Sequence, residues 1–334
     1  MKVGIVGAGL IGKKRASALD EFPDELACIA EIDEERRRAF SNDFHCRGYA
    51  SWQEMLDEEE LDVVVAATPN KFLAPVATAS AKKGVHVLCE KPLGRNPDES
   101  LRMVNACREA GVRLKTGFNH RHHPAIWKAH ELFDAGEIGK LHFLRARYGH
   151  GGRPGYDKEW RGNADLAGGG ELLDQGVHIV DLFRWFAGDF TEGFGYLGRY
   201  VWDIAPLEDN GFALFKTASG IIAEMHTSWT NWKNIFSFEV FGDRGYLSID
   251  GLGGSYGKET LTFGKRKPES GPPVLETFEF EGPDRSWIEE WQEFRRAIEE
   301  NREPLASGHD GYKAVQMVHA VYEADRTGCS VKIE

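Results

Sequence analysis

The chain has 334 residues, of which 41% are hydrophobic and 28% are charged, so it is long enough for two globular domains with their own cores. Its formal net charge of -12 argues against a nucleic-acid partner, because phosphate binding needs a basic surface. No apolar stretch approaches the roughly 20 residues needed to span a bilayer, so we expect no membrane association.

The N-terminus and the cysteines indicate a cellular compartment. The first residues run directly into an apolar strand pattern and lack the longer apolar segment and cleavage site of a signal peptide. The cysteines are Cys28, Cys46, Cys89, Cys107 and Cys329. Their odd number and the absence of a CxxC pair favour neither a disulfide framework nor a zinc site. We therefore expect a reduced, cytoplasmic protein.

The first third of the chain alternates short apolar runs with helical patterns. The predicted strands are Val3–Val6, Leu26–Glu31, Asp62–Thr68, Val85–Glu90 and Arg113–Phe118. The predicted helices are Ile11–Asp20, Glu34–Asp43, Phe72–Lys83 and Asp98–Ala110. This alternation predicts right-handed βαβ units, and therefore a doubly wound parallel sheet with helices on both faces.

The pattern changes after about residue 120. Helices are predicted at Pro124–Ala135, Glu171–Ala187, Trp287–Glu300 and Asp310–Asp325. Strands are predicted at Leu141–Tyr148, Gly193–Trp202, Gly211–Thr217, Ile221–Trp229, Phe236–Phe241, Tyr246–Ile249, Thr260–Phe263 and Leu275–Phe280. Short turns separate several of these strands, which favours antiparallel pairing. We predict two domains, residues 1–120 and residues 121–334.

The composition of the second domain predicts an oligomer. Eight of the nine tryptophans lie at or after Trp127. A large sheet with apolar and aromatic residues on both faces must bury both of them. A helix layer can bury one face, and a further element must bury the other. A second subunit is the natural cover, so we expect a homodimer or homotetramer formed through the open sheet.

The first strand leads into Gly7-Ala8-Gly9-Leu10-Ile11-Gly12, a GxGxxG motif that opens a helix. In such a motif the first glycine allows the tight turn, the second lets the backbone approach a pyrophosphate, and the third allows close helix–strand packing. The alternative is a glycine-rich turn without a ligand.

Glu31 ends the second predicted strand, 19 residues beyond Gly12. A carboxylate at this position hydrogen-bonds the adenosine ribose hydroxyls and repels a 2′-phosphate, so we expect NAD in preference to NADP. Lys13, Lys14 and Arg15 either contribute to phosphate binding or form a solvated helix face.

Two further strand ends carry polar motifs. Thr68-Pro69-Asn70 follows the third predicted strand and Glu90-Lys91-Pro92 the fourth, where ligands of doubly wound sheets lie. Lys91 could donate a hydrogen bond to a substrate oxygen or share its proton. The proline fixes the turn and could form a cis bond. The alternatives are a structural turn at Thr68 and an ordinary surface lysine at Lys91.

The predicted helix Glu171–Ala187 is apolar around most of its circumference and follows three consecutive glycines. Asp174, His178, Asp181 and Trp185 share one narrow stripe at helical spacing. Because buried carboxylates and imidazoles are costly unless paired or used, this stripe predicts either a structural pair or a general base. A histidine that titrates near neutral pH, beside an aspartate, suits the removal of a hydroxyl proton.

Several basic and aromatic residues are candidates for substrate binding. They are Arg121 and His123 after the fifth strand, and His150, Arg153, Tyr156, Trp160 and Arg161 in the loop before the apolar helix. Aromatic faces and arginines there would suit a polyhydroxylated, even anionic, ligand. The alternative is a packing and oligomer loop. His120, His122 and His123 are not spaced like a metal site.

These motifs together resemble those of the glucose–fructose oxidoreductase / inositol dehydrogenase / MocA family over essentially the whole chain. The carriers of the resemblance are Gly7–Gly12, Thr68–Asn70, Cys89–Leu93, Gly117–Asn119 with Arg121, and Leu173–His178 with Asp181 and Trp185. The resemblance implies an N-terminal Rossmann domain and a C-terminal α/β domain with a large open, mainly antiparallel sheet. In that family, a histidine often follows the first helix turn and another follows Thr-Pro-Asn, where this chain has Lys13–Arg15 and Leu73.

The resemblance also implies NAD(P)-dependent oxidation of a secondary alcohol on a sugar, cyclitol or nucleotide sugar. It implies that Lys91, Asp174 and His178 are catalytic and that Asn119 lies near the nicotinamide. Our hypothesis is that His178 accepts the hydroxyl proton, Lys91 stabilises the same oxygen and Asp174 orients them. Lys91 and His178 could exchange roles. Two rivals are an enzyme that uses NAD transiently for elimination, epimerisation or glycoside cleavage, and a non-enzymatic dinucleotide-binding regulator.

Overall fold

The strands at the start of the chain form one parallel sheet in the computed structural model, which describes residues 1–334. They are β1 (Lys2–Val6), β2 (Glu25–Ala30), β3 (Arg47–Tyr49), β4 (Val63–Ala66), β5 (His86–Cys89) and β6 (Leu114–Thr116). Their order in the sheet is β3-β2-β1-β4-β5-β6. The order reverses direction beside β1, so the predicted doubly wound parallel sheet is confirmed.

Helices cover both faces of this sheet. They are α1 (Leu10–Leu19), α2 (Glu34–Phe44), α3 (Trp52–Glu58), α4 (Asn70–Lys82) and α5 (Pro97–Ala110). Alternate strand residues separate into two buried clusters, with Val64 and Val87 in one, and Val65 and Leu88 in the other. A strand buried on both faces must be apolar at every position, which explains the continuous apolar runs in the sequence.

The second sheet is larger and mixed. After α6 (Pro124–Asp134), β7 (Leu141–Gly149), α7 (Ala164–Ala167) and α8 (Val177–Ala187) come β8 (Phe190–Gly198), β9 (Asn210–Thr217), β10 (Ile222–Ser228), β11 (Ile235–Gly242), β12 (Gly245–Asp250), β13 (Glu259–Lys265) and β14 (Val274–Phe280). The order is β14-β13-β12-β11-β7-β10-β9-β8-β15, where β15 is Val331–Lys332 near the C-terminus. The β7–β10 pair is parallel and the others are antiparallel, as predicted for a mainly antiparallel sheet.

The two C-terminal helices are α9 (Ser286–Glu299) and α10 (Gly308–Thr327). The chain divides into one unit of residues 1–118 with 287–315 and another of residues 119–286 with 316–334. Residues 287–315 group with the first unit, whereas the predicted second domain, 121–334, includes them. The reason is that Trp291 and Phe294 of α9 are buried with Val3 and Leu88 in the first core. Each helix is too short or too polar to cross a lipid bilayer.

Strand β8 shows why one predicted boundary shifted. The sequence predicted a strand from Gly193 to Trp202, whereas β8 ends at Gly198. The Asp209 carboxylate accepts hydrogen bonds from the backbone amides of Tyr200, Val201 and Trp202, at 2.9–3.1 Å. Amides gathered on one carboxylate cannot also pair with a neighbouring strand, so the chain leaves the sheet there.

Candidate active site

The glycine motif joins β1 to the first turn of α1, and glycine is required or tolerated at its three positions for different structural reasons. Gly7 has φ of 104°, and a Cβ on it would meet the carbonyl of Ala67. A Cβ on Gly12 would meet the carbonyl of Gly7. Gly9 caps the N-terminus of α1 without a side-chain hydrogen bond, and open space surrounds its Cβ position. The loop therefore places backbone amides at a helix N-terminus without obstructing side chains at Gly9, which suits a phosphate group.

Glu31 follows β2 and faces this loop. Its carboxylate accepts hydrogen bonds from the amide of Ala8 at 3.0 Å and from the amide of Asp33 at 3.1 Å. Leu10 lies two residues after Ala8 and Ile32 lies directly after Glu31, and the two side chains are 73% and 89% exposed. Apolar side chains exposed beside a carboxylate and a glycine loop fit the base and ribose of an adenine dinucleotide. Ile32 was not among the predicted cofactor residues, although an isoleucine directly after Glu31 was a visible signal.

The Thr68-Pro69-Asn70 motif forms the start of α4. Pro69 caps the helix, the Thr68 hydroxyl donates a hydrogen bond to the carbonyl of Pro69 at 3.2 Å, and Asn70 is buried as the first helical residue. Ile11 lies in the first turn of α1. These positions agree with a turn beyond the carboxyl ends of β1 and β4, and their contact with a cofactor remains a prediction.

Glu90 and Arg15 form a buried ion pair in the first unit. The Arg15 guanidinium donates to Glu90 at 2.6 Å and to Glu290 of α9 at 2.5 Å. Burial acts against the charge of Arg15, but Glu290 and Glu90 outweigh it and raise the pKa of the guanidinium. Arg15 is therefore a structural cation and not a phosphate contact, whereas Lys13 and Lys14 are exposed as a solvated helix face would be.

Lys91 follows Glu90 at the carboxyl end of β5. The Lys91–Pro92 peptide bond is cis, as the sequence allowed. Cys89, the last residue of β5, is fully buried, and burial raises the pKa of its thiol. Cys89 is thus a packing residue, and Lys91 is the residue of this turn with chemistry to offer a ligand.

Asp174 lies in a π-helical turn, and His178 lies in the α-helix that follows it. Residues Leu172–Gly176 form a π-helical turn, and α8 begins at Val177. The prediction of one regular α-helix over this segment was wrong, because the π turn rotates Asp174 relative to the α-helical stripe. Single π turns inside helices occur often at functional sites. Asp174 and His178 are both buried.

The Asp174 carboxylate is held by Arg161 from the loop that precedes the helix. The Arg161 Nε donates to Asp174 at 3.0 Å, and the guanidinium lies 4.5 Å from the centre of the Trp160 ring. Burial acts against the charge of Arg161, yet Asp174 raises the pKa of the guanidinium. Three of the predicted site residues therefore meet in the second unit.

His178 stacks on His120, a contact that the sequence analysis did not predict. The two imidazole rings are 3.7 Å apart and inclined by 15°. The Nδ1 of His120 lies 3.2 Å from the side-chain oxygen of Asn119, whose amide donates to the Ser286 hydroxyl at 2.9 Å. This chain of contacts fixes the plane of the His178 ring. The visible signal was the histidine-rich run at 120–123, from which His123 was assigned to substrate binding, while the spacing of the cluster did not suit a metal site.

The last of the three glycines before the helix, Gly170, allows close packing against Glu208. The Glu208 carboxylate accepts from the amides of Gly170 and Leu172 at 3.0–3.1 Å and from the Tyr322 hydroxyl at 2.9 Å. A Cβ on Gly170 would meet the Glu208 carbonyl. Burial raises the pKa of Glu208 to about 7. Glu208 therefore anchors the backbone that leads to Asp174.

The remaining predicted substrate residues also lie in the second unit and have partners there. Arg121 pairs with Asp181, His123 with Glu259 and Arg153 with Glu159, while His150 accepts from the amide of Gly152 and Tyr156 packs on Trp229. The structure thus brings Trp160, Arg161 and Asp174 together and ties Arg121 to α8. Contact of these residues with a substrate remains a prediction.

Comparisons with known proteins agree with the fold and the motifs. Residues 1–118 match the model of an oxidoreductase family with an NAD-binding Rossmann fold, and residues 126–248 match the C-terminal domain model of the same family. A D-xylose 1-dehydrogenase (NADP(+)) of Haloferax volcanii is 29% identical, and a myo-inositol 2-dehydrogenase of Thermotoga maritima is 26% identical. Both alignments cover 100% of this chain and at least 99% of the relative.

A levoglucosan dehydrogenase of Pseudarthrobacter phenanthrenivorans is 30% identical over 66% of this chain, a stretch that covers 59% of that relative. A solved structure of a levoglucosan dehydrogenase with NADH and L-sorbose superposes with a TM-score of 0.90 at 23% identity, covering 100% of this chain and 99% of the other, which shows the shared fold. The chain belongs to the glucose–fructose oxidoreductase / inositol dehydrogenase / MocA family of oxidoreductases, and its N-terminal domain is the NAD-binding Rossmann domain of that family.

Proposed function

We propose that the protein oxidises a secondary alcohol of a sugar, cyclitol or nucleotide sugar with NAD. The observation that carries the proposal is the polar group formed by Asp174, His178 and their partners on a helix that is otherwise apolar and buried. Buried titratable groups that are positioned by several neighbours mark functional sites. Family membership and relatives named for D-xylose, myo-inositol and levoglucosan support the substrate class.

The chain's own residues would hold the cofactor and move the proton. The Gly7–Gly12 loop and Glu31 would bind NAD, which supplies a hydride acceptor when bound. His178 would accept the hydroxyl proton, its ring fixed by the stack on His120. Lys91 would hydrogen-bond the same oxygen and stabilise its negative charge. Asp174, held by Arg161, would orient the base and the substrate.

A panel of sugars, sugar acids, cyclitols and nucleotide sugars tests the proposed function. Each compound is incubated with the protein and NAD, and NADH formation is followed by absorbance. We expect steady NADH formation with at least one polyol. Turnover of a sugar with NAD retained and no net NADH would instead indicate transient oxidation, and binding of NAD without turnover of any compound would favour the regulator.

Glu31 should determine the choice of dinucleotide. In Glu31→Ala, kcat/KM with NAD should fall by about 10- to 100-fold, since a charge-assisted hydrogen bond contributes about 1.5–3 kcal/mol, and the ratio of NADP to NAD activity should rise. Steady-state kinetics with both cofactors measure this change. Glu34→Ala, which removes an exposed α2 carboxylate paired with Arg38, is the matched control. An unchanged ratio in Glu31→Ala would count against the assignment.

The uncovered face of the second sheet supports an oligomer. The strand register pairs Tyr196 with Phe212 across β8 and β9 and Ile222 with Phe143 across β10 and β7, so this face carries exposed apolar side chains on four neighbouring strands. Five of them are 38–61% exposed, namely Phe143, Tyr196, Phe212, Leu214 and Ile222. A contiguous exposed apolar surface of this kind usually meets a partner. We propose that a second copy of the chain covers it in a homodimer or homotetramer.

Charges on this face should separate the subunits. The double variant Phe212→Glu/Leu214→Glu should sediment as a monomer, because like charges would face each other across a two-fold interface. Analytical ultracentrifugation measures the mass. Leu101→Glu, at an exposed leucine of α5, should leave the mass unchanged. Wild-type protein that sediments as a monomer would overturn the proposed oligomer.

The thiols support a proposed cytoplasmic location. All five cysteines are free, and Cys28, Cys89 and Cys107 are buried. Persistent free thiols are typical of proteins in reducing compartments.

A further inference from the structure

We propose that the substrate of this protein is an uncharged polyol, a neutral sugar or cyclitol, and not a sugar phosphate, sugar acid or nucleotide sugar. This inference rests on the proposed function and narrows its substrate class. The sequence assigned three arginines, Arg121, Arg153 and Arg161, to a ligand that could be anionic. In the structure each of the three is paired with a carboxylate of the same unit.

Arg121 forms the most buried of these pairs. Its Nε donates to one Asp181 oxygen at 2.8 Å and a terminal nitrogen donates to the other at 2.5 Å. The side chains are 3% and 0% exposed. A guanidinium that meets a carboxylate with two parallel hydrogen bonds has already made the contact that it would offer to a phosphate or a carboxylate ligand.

The loop arginines are also paired with carboxylates, but they are more exposed than Arg121, with Arg153 at 66% and Arg161 at 27%. Arg161 donates to Asp174 at 3.0 Å, and Arg153 lies 2.6 Å from the Glu159 carboxylate. Burial and then the charge of Asp174 raise the pKa of Tyr156, with Arg161 acting in the opposite direction and Glu171 adding to the rise, so two carboxylates act on the same region. An anion brought there would either meet these carboxylates or displace one from its arginine, and both are unfavourable.

Two of the three predicted substrate histidines, His123 and His150, have partners of their own. The Nδ1 of His123 lies 3.2 Å from Glu259, so any charge on this ring is compensated. The Nδ1 of His150 accepts a hydrogen bond from the amide of Gly152 at 2.8 Å, which requires an unprotonated nitrogen. Burial also lowers the pKa of His150, with Asp174 acting in the opposite direction. At neutral pH, His150 is therefore an uncharged ring.

The composition of the loop agrees with this pattern. Residues 150–174 contain three basic residues and five acidic ones. The acidic ones include Glu171, which is fully buried. A binding segment with an excess of carboxylates disfavours anions, whereas it can accept hydrogen bonds from several hydroxyl groups. The half-buried Trp160 and the ring of Tyr156 supply aromatic surface for the C–H faces of a sugar.

Matched pairs of ligands test the proposal. Binding of D-glucose, D-glucose 6-phosphate and D-glucuronate, and of myo-inositol and myo-inositol 1-phosphate, is measured by calorimetry and thermal shift with NAD present. We expect the neutral member of at least one set to bind at least 10-fold more tightly than its charged relatives. Tighter or equal binding of the charged members, or binding of no neutral member, overturns the proposal. Binding is scored separately from NADH formation, so failure of the proposed chemistry is recognised independently.

A variant that releases one arginine provides a second test. In Glu159→Gln, Arg153 loses its carboxylate, and the affinity for the charged members should rise several-fold while that for the neutral member changes little. A fold defect would lower both affinities, so the expected gain has the opposite sign. Glu323→Gln, which releases Arg326 on the exposed surface of α10, should change neither affinity. Unchanged affinity for the charged members in Glu159→Gln would contradict the proposed role of the pair.

Discussion

Replacing Lys91 by alanine is expected to lower kcat by about 10²- to 10⁴-fold, the range for loss of one proton-transfer or oxyanion-stabilising group. The dissociation constant for NAD should stay nearly unchanged, because the variant keeps the glycine loop and Glu31, which are proposed to hold the cofactor. Steady-state kinetics and NAD titration by fluorescence measure the two quantities.

A surface lysine provides the control for this experiment. Lys83 follows α4 and pairs with Asp57, with both side chains more than half exposed. Lys83→Ala should keep wild-type kcat and NAD affinity, since exposed ion pairs contribute little. Near-normal turnover by Lys91→Ala would remove Lys91 from the proposed mechanism, whereas a parallel loss of NAD affinity would assign it to cofactor binding.

Replacing Arg121 by alanine should destabilise the protein by about 3–5 kcal/mol, because the buried Asp181 carboxylate loses both of its hydrogen bonds to the guanidinium. The urea midpoint, at an unchanged m-value, measures this loss. The pair connects the turn Asn119–His122 to α8, so the His120–His178 stack should loosen as well. We therefore also expect reduced turnover.

Two further variants make this prediction specific. Arg121→Met/Asp181→Leu removes both charges and should recover much of the lost stability, because no buried charge is left without a partner. Arg326→Ala breaks an exposed pair with Glu323 and should cost less than about 1 kcal/mol. A midpoint of Arg121→Ala within the range of Arg326→Ala would show that the buried pair does not hold α8.

The first sheet could be predicted because its apolar runs and helical patterns alternate without interruption. Strand β3 and helix α3 were missed because they are short, with three and seven residues, and give no periodic signal. Ser51 caps α3 by accepting from the amides of Gln53 and Glu54, a local signal that was available.

The partner of α9 could not be predicted from its own pattern. Trp291 and Phe294 mark an apolar face, but a periodic pattern shows that a face is buried and not which core receives it. Glu290 on the same helix lies fully buried against Arg15, an interaction that joins residues 275 positions apart. Contacts over such separations depend on topology and leave no trace in local sequence.

The candidate site was predicted in its residue types but not in its pairings. The apolar pattern of the helix predicted that Asp174 and His178 are buried polar groups, and the structure confirms their burial. Its π turn at Leu172–Gly176 was invisible, because hydrophobic periodicity assumes a regular helix. The loop arginines Arg153 and Arg161 looked available for a ligand, because only the folded chain shows that they pair with Glu159 and Asp174.

Isotope transfer tests the central claim most directly. The polyol that forms NADH fastest is prepared with deuterium on the carbon that is oxidised, and the NADH produced is examined by mass spectrometry. The account predicts one deuterium on the nicotinamide ring for each keto product formed, together with loss of this transfer in His178→Ala. Reduced cofactor without deuterium, or wild-type transfer by His178→Ala, would contradict hydride transfer from a secondary alcohol assisted by His178.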